Sequence, residues 1–217
     1  MPNLNFMNFC RFMFLALAIF PTHETLAEDL ECPTPRVGGA HQGYGPFDYI
    51  TQKDKLPVVE GAHFTPKVAA LISGERSYLA GDLDYTLRAF PNHHRALESL
   101  IELALRSKTT SIPNMTFSVP CFLIRASKFV PTDGLVNALY ANYLSRIGQK
   151  ELAKSEAELA IKKTPNNPRV AYNIGLAYFY LGDYKSAKEY SDMAKKLGSS
   201  AVGLDKLLSG SVPQSHR

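Results

Sequence analysis

The chain has 217 residues, of which 45% are hydrophobic, and 24 lysines and arginines against 20 aspartates and glutamates give a formal net charge of +4 at pH 7. In the second half the basic residues are interleaved with glutamates. This is typical of a solvated helix face with charge pairs three or four residues apart, not of a nucleic-acid-binding stripe. We therefore expect no nucleic-acid partner, and one folded domain after an N-terminal leader.

Residues 1–27 have the composition of a secretory signal. Arg11 precedes an apolar run from Phe12 to Phe20, and Thr25-Leu26-Ala27 supplies a small-x-small ending. The run is shorter than the about 20 residues that a membrane-spanning helix needs. We predict a cleaved signal peptide, a periplasmic location with secretion as the alternative, and no stable membrane span after cleavage. An uncleaved amphipathic helix is the other interpretation.

Three cysteines occur, and the predicted signal peptide contains one of them, Cys10. Cys32 and Cys121 would then be the only thiols of an exported chain in an oxidising compartment. We predict a disulfide between them, which ties the N-terminal segment to the middle of the helical region. In the chain-entropy model such a loop closure stabilises the fold by about 4 kcal/mol. Two separate buried thiols are the alternative.

Residues 28–60 are rich in glycine, proline and aromatic side chains. The prolines and glycines deny this segment a long helix, yet Tyr44, Phe47 and Tyr49 are too apolar for a plain linker. We predict an irregular arm whose rings pack onto the helical region or, as the alternative, frame a binding groove. Helices are expected from Thr65-Pro66 onward, where threonine can cap a helix and proline fits its first turn.

Two adjacent segments of equal length, 134–167 and 168–201, carry small residues in the same positions. Pairs 34 residues apart are Ala141 with Gly175, Gly148 with Gly182, Ala153 with Ala187, and Ala160 with Ala194. That period is typical of stacked helix–turn–helix units. The stretch "AYNIGLAYFYLGDYKSAKEYSDMA" resembles the consensus of the tetratricopeptide repeat (TPR). It departs from that consensus at Ala171, where the family usually has a large aromatic residue, and the terminal proline is replaced by Ser199.

The resemblance implies an all-α fold, a right-handed superhelix of about four stacked helical hairpins, or TPR-like α-solenoid. The copy before the regular repeats is six residues longer than the standard unit, and we place the excess in a polar loop from Thr109 to Asn114. The predicted plan is a TPR-like domain at 61–208, with degenerate copies 61–93 and 94–133, regular repeats 134–167 and 168–201, a capping helix 201–208, and a disordered tail 209–217.

The first half of the chain carries a second resemblance. The stretches "GPFDY", "VVEGAHFTPKV" and "DLDYTLRAFPNHHRAL" are similar to a bacterial family of exported TPR proteins of undefined biochemical role. This similarity covers about residues 45–97. It implies that the first half does family-specific work and that the regular repeats serve as its scaffold.

The TPR resemblance also implies where a partner would bind. In that family the first helix of each unit lines a concave groove at its second, fifth, sixth, ninth and thirteenth places. Asn142 and Asn173 match positions that hold a peptide's terminal carboxylate in chaperone-binding members, but Ala138 replaces the lysine that completes that clamp. Asn173 could instead bond to a neighbouring helix backbone. The groove places are Leu135, Ala138, Leu139, Asn142 and Arg146, then Arg169, Tyr172, Asn173, Leu176 and Tyr180.

The sequence thus favours a non-enzymatic adaptor of the bacterial cell envelope that binds a protein or peptide and needs no cofactor. The rival hypothesis is a small metal-binding protein or metal-dependent hydrolase that uses His63, His93 and His94 with nearby aspartates. Capping of a helix by Asn92, with hydrogen-bonded histidines, would equally explain that cluster. Glu60 and His63 could form an acid–base couple. No nucleophile elbow, phosphate-binding glycine loop or metal-spaced cysteine pair occurs.

Overall fold

The computed structural model describes residues 32–39 and 41–211, with the side chain of residue 211 left aside. The predicted signal peptide and residues 212–217 of the predicted tail lie outside this range. The described residues form ten α-helices and one short 3-10 helix, Lys53–Lys55, and contain no strand, so the all-α class is confirmed. The α-helices are α1 Leu56–His63, α2 Pro66–Ala69, α3 Leu79–Ala89, α4 His94–Ser107, α5 Val119–Phe129, α6 Gly134–Arg146, α7 Lys150–Lys163, α8 Pro168–Tyr180, α9 Tyr184–Lys196 and α10 Gly203–Ser211.

Helices α6 to α9 form two antiparallel pairs whose starts repeat at the predicted spacing of 34 residues. Side chains of Asp133, Asn167 and Asp183 cap the starts of α6, α8 and α9 by accepting backbone N–H bonds. Gly148 and Gly182 turn the chain between the paired helices at φ +82° and +81°, a conformation that costs glycine little. Helix α6 packs against both α7 and α8, so the two pairs lie side by side.

Helices α4 and α5 form an earlier pair with a longer connection. Residues 108–118 join them, whereas residues 147–149 suffice between α6 and α7. This loop is eight residues longer, and because α5 is three residues shorter than α7, the loop holds all of the six extra residues of this unit. Helix α4 packs against α6, which in turn packs against α8, so the first helices of three successive pairs lie next to one another.

The first helix begins earlier than the sequence predicted. Helix α1 starts at Leu56, inside the segment predicted as an irregular arm, and tolerates Pro57 because proline fits a first turn. Leu56 and Val59 are buried against the end of α3, and this packing offsets the weak helix propensity of Gly61. Thr65 does not cap α2 with its side chain; its hydroxyl donates to a carboxylate oxygen of Glu75 instead, at 3.1 Å. Because α1 ends at His63 and α2 spans only Pro66–Ala69, the predicted copy 61–93 lacks a full-length first helix.

The arm is ordered by contacts with α3, α4 and α5. The ring of Phe47 lies 5.5 Å from that of Phe90, and its backbone N–H donates to the carbonyl of Ala89 at 2.8 Å. Cys32 and Cys121 form the predicted disulfide, with Cα atoms 5.4 Å apart. The predicted packing of the arm rings onto the helices is therefore seen for Phe47.

One continuous apolar core runs from Phe64 to Ala177, and two smaller clusters flank it. At the C-terminal end, Leu204 and Leu208 of α10 are buried against Ala187 of α9. This helix continues to Ser211, so residues 209–211, predicted as part of a disordered tail, are helical. Within the part of the chain that the structure describes, no helix combines the length and apolar character needed to cross a bilayer.

Candidate peptide-binding groove

Helices α4, α6 and α8 line a groove of about 380 Å³. Seven of the ten predicted groove residues border it, all except Leu135, Ala138 and Tyr180. Tyr180 lies beside it, with its ring centroid 5.1 Å from the guanidinium carbon of Arg146. Leu135 and Ala138 are buried in the core instead. The lining residues are Glu98, Ile101, Glu102, Leu139, Asn142, Arg146, Arg169, Tyr172, Asn173, Leu176, Ser199 and Ala201.

Two buried asparagines lie in the wall of the groove. The side-chain amide of Asn142 donates to Oδ1 of Asn173 at 3.2 Å, and the amide of Asn173 donates to the backbone carbonyl of Arg169 at 3.0 Å. The bond of Asn173 lies within its own helix, α8, and does not reach the neighbouring helix backbone that was the alternative to peptide binding. Asn142 is only 8% exposed. Its Oδ1 atom is buried and accepts no hydrogen bond from the described residues. An unfilled buried acceptor is costly, and a donor from a bound molecule would remove that cost.

Both arginines of the groove are paired with glutamates of α4. Arg169 Nη2 lies 2.6 Å from Glu98 Oε1, and Arg146 Nη1 lies 3.3 Å from Glu102 Oε2. These pairs are partly exposed, so each contributes little to stability. The two arginines and the two glutamates nevertheless cancel in charge, so a molecule bound in the groove meets no net positive or negative charge.

Sequence reasoning missed the α4 side of the groove, including Glu98, Ile101 and Glu102. The repeat places, counted from His94 at the start of the irregular copy, put Glu98 fifth and Glu102 ninth. Applying the groove rule to that copy would therefore have found both glutamates. The same places include Arg95, Ser99 and Arg106, which border a neighbouring depression of about 310 Å³ that shares Glu98 and Glu102 with the groove.

Tyr172 connects the groove to α10. Burial raises the pKa of Tyr172, and the backbone N–H of Leu204 opposes this by bonding to its hydroxyl. The ring also packs in the cluster formed by Leu204 and Leu208. Replacing Tyr172 would therefore disturb the C-terminal helix as well as the groove. No described residue of the arm lines the groove, so the alternative role of the arm as a groove frame is not supported there.

The three candidate metal-binding histidines are each hydrogen-bonded to a different carboxylate. His63 Nδ1 is 2.9 Å from Asp82, His93 Nε2 is 2.9 Å from Glu60, and His94 Nε2 is 2.7 Å from Asp133. Among residues 32–39 and 41–211, no group of three or more His, Cys, Asp or Glu side chains is arranged to hold a metal ion. Glu60 thus pairs with His93, not with His63 as the acid–base hypothesis required.

His93, not Asn92, caps helix α4. Its Nδ1 accepts the N–H of Ala96, so the ring is the tautomer that donates from Nε2 to Glu60. Burial lowers the pKa of His93, and the hydrogen bond from His93 lowers the pKa of Glu60. Asn92 instead accepts the N–H of Tyr49 and donates to Asp48 and Asp133, which joins the arm to α6. These contacts are structural bonds between segments.

No protein-family model matches the chain, and no curated protein or solved structure is significantly similar to it.

Proposed function

We propose that this protein is a non-enzymatic adaptor of the cell envelope that binds a segment of another protein in the groove between α4, α6 and α8. The α-helices would belong to a TPR-like right-handed superhelix, and the groove would be its concave face. The observation that supports this most directly is the unfilled acceptor of Asn142 within a groove that has apolar walls. A peptide N–H is the commonest group that could fill it.

The shape and chemistry of the groove favour a peptide segment over a small charged ligand. Ile101, Leu139 and Leu176 offer apolar contacts to side chains, while Asn142 offers an acceptor to the peptide backbone. The groove arginines already have glutamate partners, so a terminal carboxylate would have to compete with them. We therefore propose an internal segment of the partner as the occupant, in an extended or helical conformation.

The proposed location is the periplasm. The leader predicted at 1–27 supports export, and the Cys32–Cys121 disulfide fits an oxidising compartment.

Site-specific photocrosslinking tests the proposal in the native envelope. A photoreactive residue at Leu176, inside the groove, should yield a light-dependent adduct with one defined protein. The same residue at Tyr184, which is exposed on α9 outside the groove, serves as the control and should not. Equal adducts from both positions, or none from Leu176, would contradict the proposal.

A paired substitution tests the asparagines. Asn142→Leu combined with Asn173→Leu removes both members of the mutual hydrogen bond, so neither is left without its partner. We expect the helical circular dichroism to persist while crosslinking at Leu176 falls about tenfold, the effect of one lost buried hydrogen bond. Unchanged crosslinking would assign the asparagines to structure alone.

We do not propose metal chemistry, because each candidate histidine already has its own carboxylate. Elemental analysis of the purified protein checks this point. A stoichiometric metal ion that is lost in a His63→Ala or His93→Ala variant would restore the rival hypothesis.

A further inference from the structure

A second cavity, of about 310 Å³, lies between the arm and α5, away from the peptide groove. Cys121 and Arg125 are one turn apart on α5, and the disulfide from Cys121 holds the start of the arm against this helix. Lys128 Nζ adds a 2.9 Å bond to the carbonyl of Cys32. The lining residues are Pro33, Thr34, Pro35, Arg36, Gly39, Gln42 and Arg125.

Arg125 is a buried cation with an unused donor. The residue is only 2% exposed, its Nη1 donates to the carbonyl of Pro33 at 2.6 Å, and its guanidinium lies 4.1 Å from the ring centroid of Phe117. Its Nε is buried and donates to no described atom. No described carboxylate lies within ion-pair distance of this guanidinium, so its charge has lost hydration without gaining an anion.

The described surroundings of Arg125 do not supply that anion. Among residues 32–39 and 41–211, Asp84 is the one acidic side chain whose charge acts on Arg125, but its carboxylate already pairs with Arg88 at 2.7 Å and accepts from the backbone N–H of Thr116 at 2.6 Å. Burial lowers the pKa of Arg125, and the positive charge of Arg88 lowers it further. Arg36 adds a second cation to the lining of the cavity.

Gln42 contributes an unused acceptor to the same cavity. Its Nε2 donates to the carbonyl of Arg88 at 2.7 Å, which fixes the orientation of the amide. Its Oε1 is then buried without a donor among the described residues. Two residues that line the cavity therefore carry unfilled buried groups, a donor on the cation of Arg125 and an acceptor on the neutral amide of Gln42.

We propose that this cavity binds a phosphate group that carries a proton, with Arg125 and Arg36 as ligands of its anionic oxygens and Gln42 Oε1 as acceptor of its O–H. Hydrogenphosphate meets both requirements because it offers negatively charged oxygens and a hydroxyl together. Guanidinium groups suit phosphate oxygens, which accept charge-assisted hydrogen bonds. This site does not depend on the peptide groove.

Titration of the full-length, disulfide-intact protein with inorganic phosphate tests the proposal. The Nε–H resonance of Arg125, assigned by its loss in Arg125→Lys, should shift saturably, because this atom lacks an acceptor without the ligand. Sulfate has the same tetrahedral shape but no proton at neutral pH, so it should bind about tenfold more weakly, the effect of one hydrogen bond. Glycerol phosphate, titrated in parallel, identifies an esterified phosphate group if it binds more tightly than the free ion.

Three variants measure how much individual residues at the cavity contribute to phosphate binding. Arg36→Gln removes an exposed cation that the fold does not need and should weaken phosphate binding about tenfold. Gln42→Leu should abolish the preference for phosphate over sulfate. Lys128→Met is the matched control, because Lys128 lies on the same helix and bonds to Cys32 but does not line the cavity; it should change the affinity less than about twofold.

Four results would overturn the proposal. The first three are an Nε–H resonance of Arg125 that phosphate does not shift, equal affinities for sulfate and phosphate, and equal weakening of phosphate binding by Lys128→Met and Arg36→Gln. The fourth concerns the acidic residues just before Cys32. If phosphate binds only after Glu28→Gln, Asp29→Asn and Glu31→Gln are combined, the anion is a carboxylate of this chain.

Discussion

At the scale of single residues, buried carboxylates hold backbone that lies outside the helices. Asp82 is fully buried, and its Oδ2 accepts the N–H groups of Glu75, Arg76 and Ser77 at 2.5, 3.1 and 3.3 Å. Its Oδ1 pairs with the ring of His63 at 2.9 Å. Burial acts to raise the pKa of Asp82, but these bonds outweigh it and hold the pKa below its ordinary value. The loop before α3 therefore depends on one ionised side chain.

Asp82→Asn should destabilise the protein in a pH-dependent way. Because the pKa of Asp82 is lower in the folded than in the unfolded chain, its contribution is complete above the unfolded value of about 3.9 and is lost as pH falls through the folded value. We expect the variant to lose about 2 kcal/mol of unfolding free energy at neutral pH and much less in strong acid. Urea denaturation at several pH values measures this.

The control for Asp82 is Asp192→Asn. Asp192 also has a lowered pKa, first because of its bond to Lys188, but it is exposed on α9. Exposed pairs of this kind contribute little, so no measurable change is expected. Equal losses of unfolding free energy in the two variants would show that burial of the hydrogen bonds around Asp82 does not add to stability.

The groove residues of α6 and α8 were predictable from the sequence, but their hydrogen bonds were not. A constant repeat length fixes which residues share a helix face, so the sequence alone assigns Asn142, Arg146, Asn173 and Leu176 to one surface. Whether an amide is left without a partner depends on side-chain geometry across two helices, which no repeat pattern encodes. The unfilled acceptor of Asn142 is therefore visible only in the folded chain.

At the scale of elements, the helices of the regular repeats start at the predicted spacing, whereas the first helix starts earlier than the sequence predicted. Helices α6, α8 and α9 carry side-chain caps, and the four helices α6 to α9 carry turn glycines and small residues at fixed spacing, so local sequence and packing agree. Helix α1 carries Pro57 and Gly61 and forms because Leu56 and Val59 pack on Phe90, a contact distant in sequence. Tertiary contacts of this kind override local propensity, which explains the error at the first helix.

Gly175→Ala should weaken the docking of α10. A Cβ atom at Gly175 would lie 2.6 Å from Cδ2 of Leu204, which is fully buried and has little room to move. We expect a loss of about 1–3 kcal/mol of unfolding free energy from overpacking, which exceeds the gain in helix propensity. Urea denaturation measures the loss, and near-ultraviolet circular dichroism reports changes in the packing of the tyrosines, which include Tyr172 against α10.

Gly61→Ala is the matched control for this substitution. Gly61 lies in α1 with no heavy atom within 4 Å of an added Cβ, so only the propensity gain applies. The control should stabilise the protein by about 0.5–1 kcal/mol. A Gly175→Ala variant that behaves like Gly61→Ala would mean that α10 does not pack closely on α8.

At the scale of the whole molecule, the arm is held by bonds far apart in sequence. The disulfide joins residues 89 positions apart, and Asn92 and Arg125 bond to arm backbone at Tyr49 and Pro33. The cysteine pairing was predictable from the count of thiols left after a signal peptide. The cavity that it creates beside Arg125 was not, because a buried cation without an anion leaves no trace in sequence.

Removing the disulfide separates its contribution from that of the other arm contacts. Cys32→Ser combined with Cys121→Ser should lower the unfolding free energy by about 4 kcal/mol if the cross-link acts mainly on the unfolded chain. Hydrogen exchange should then accelerate at residues 32–39 but not at Phe47, whose N–H is bonded to Ala89 and whose ring packs on Phe90. Lys128→Met with the disulfide intact is the control, because it removes only the bond to Cys32. Faster exchange at Phe47 as well would show that the arm unfolds as one unit and that the cross-link holds all of it.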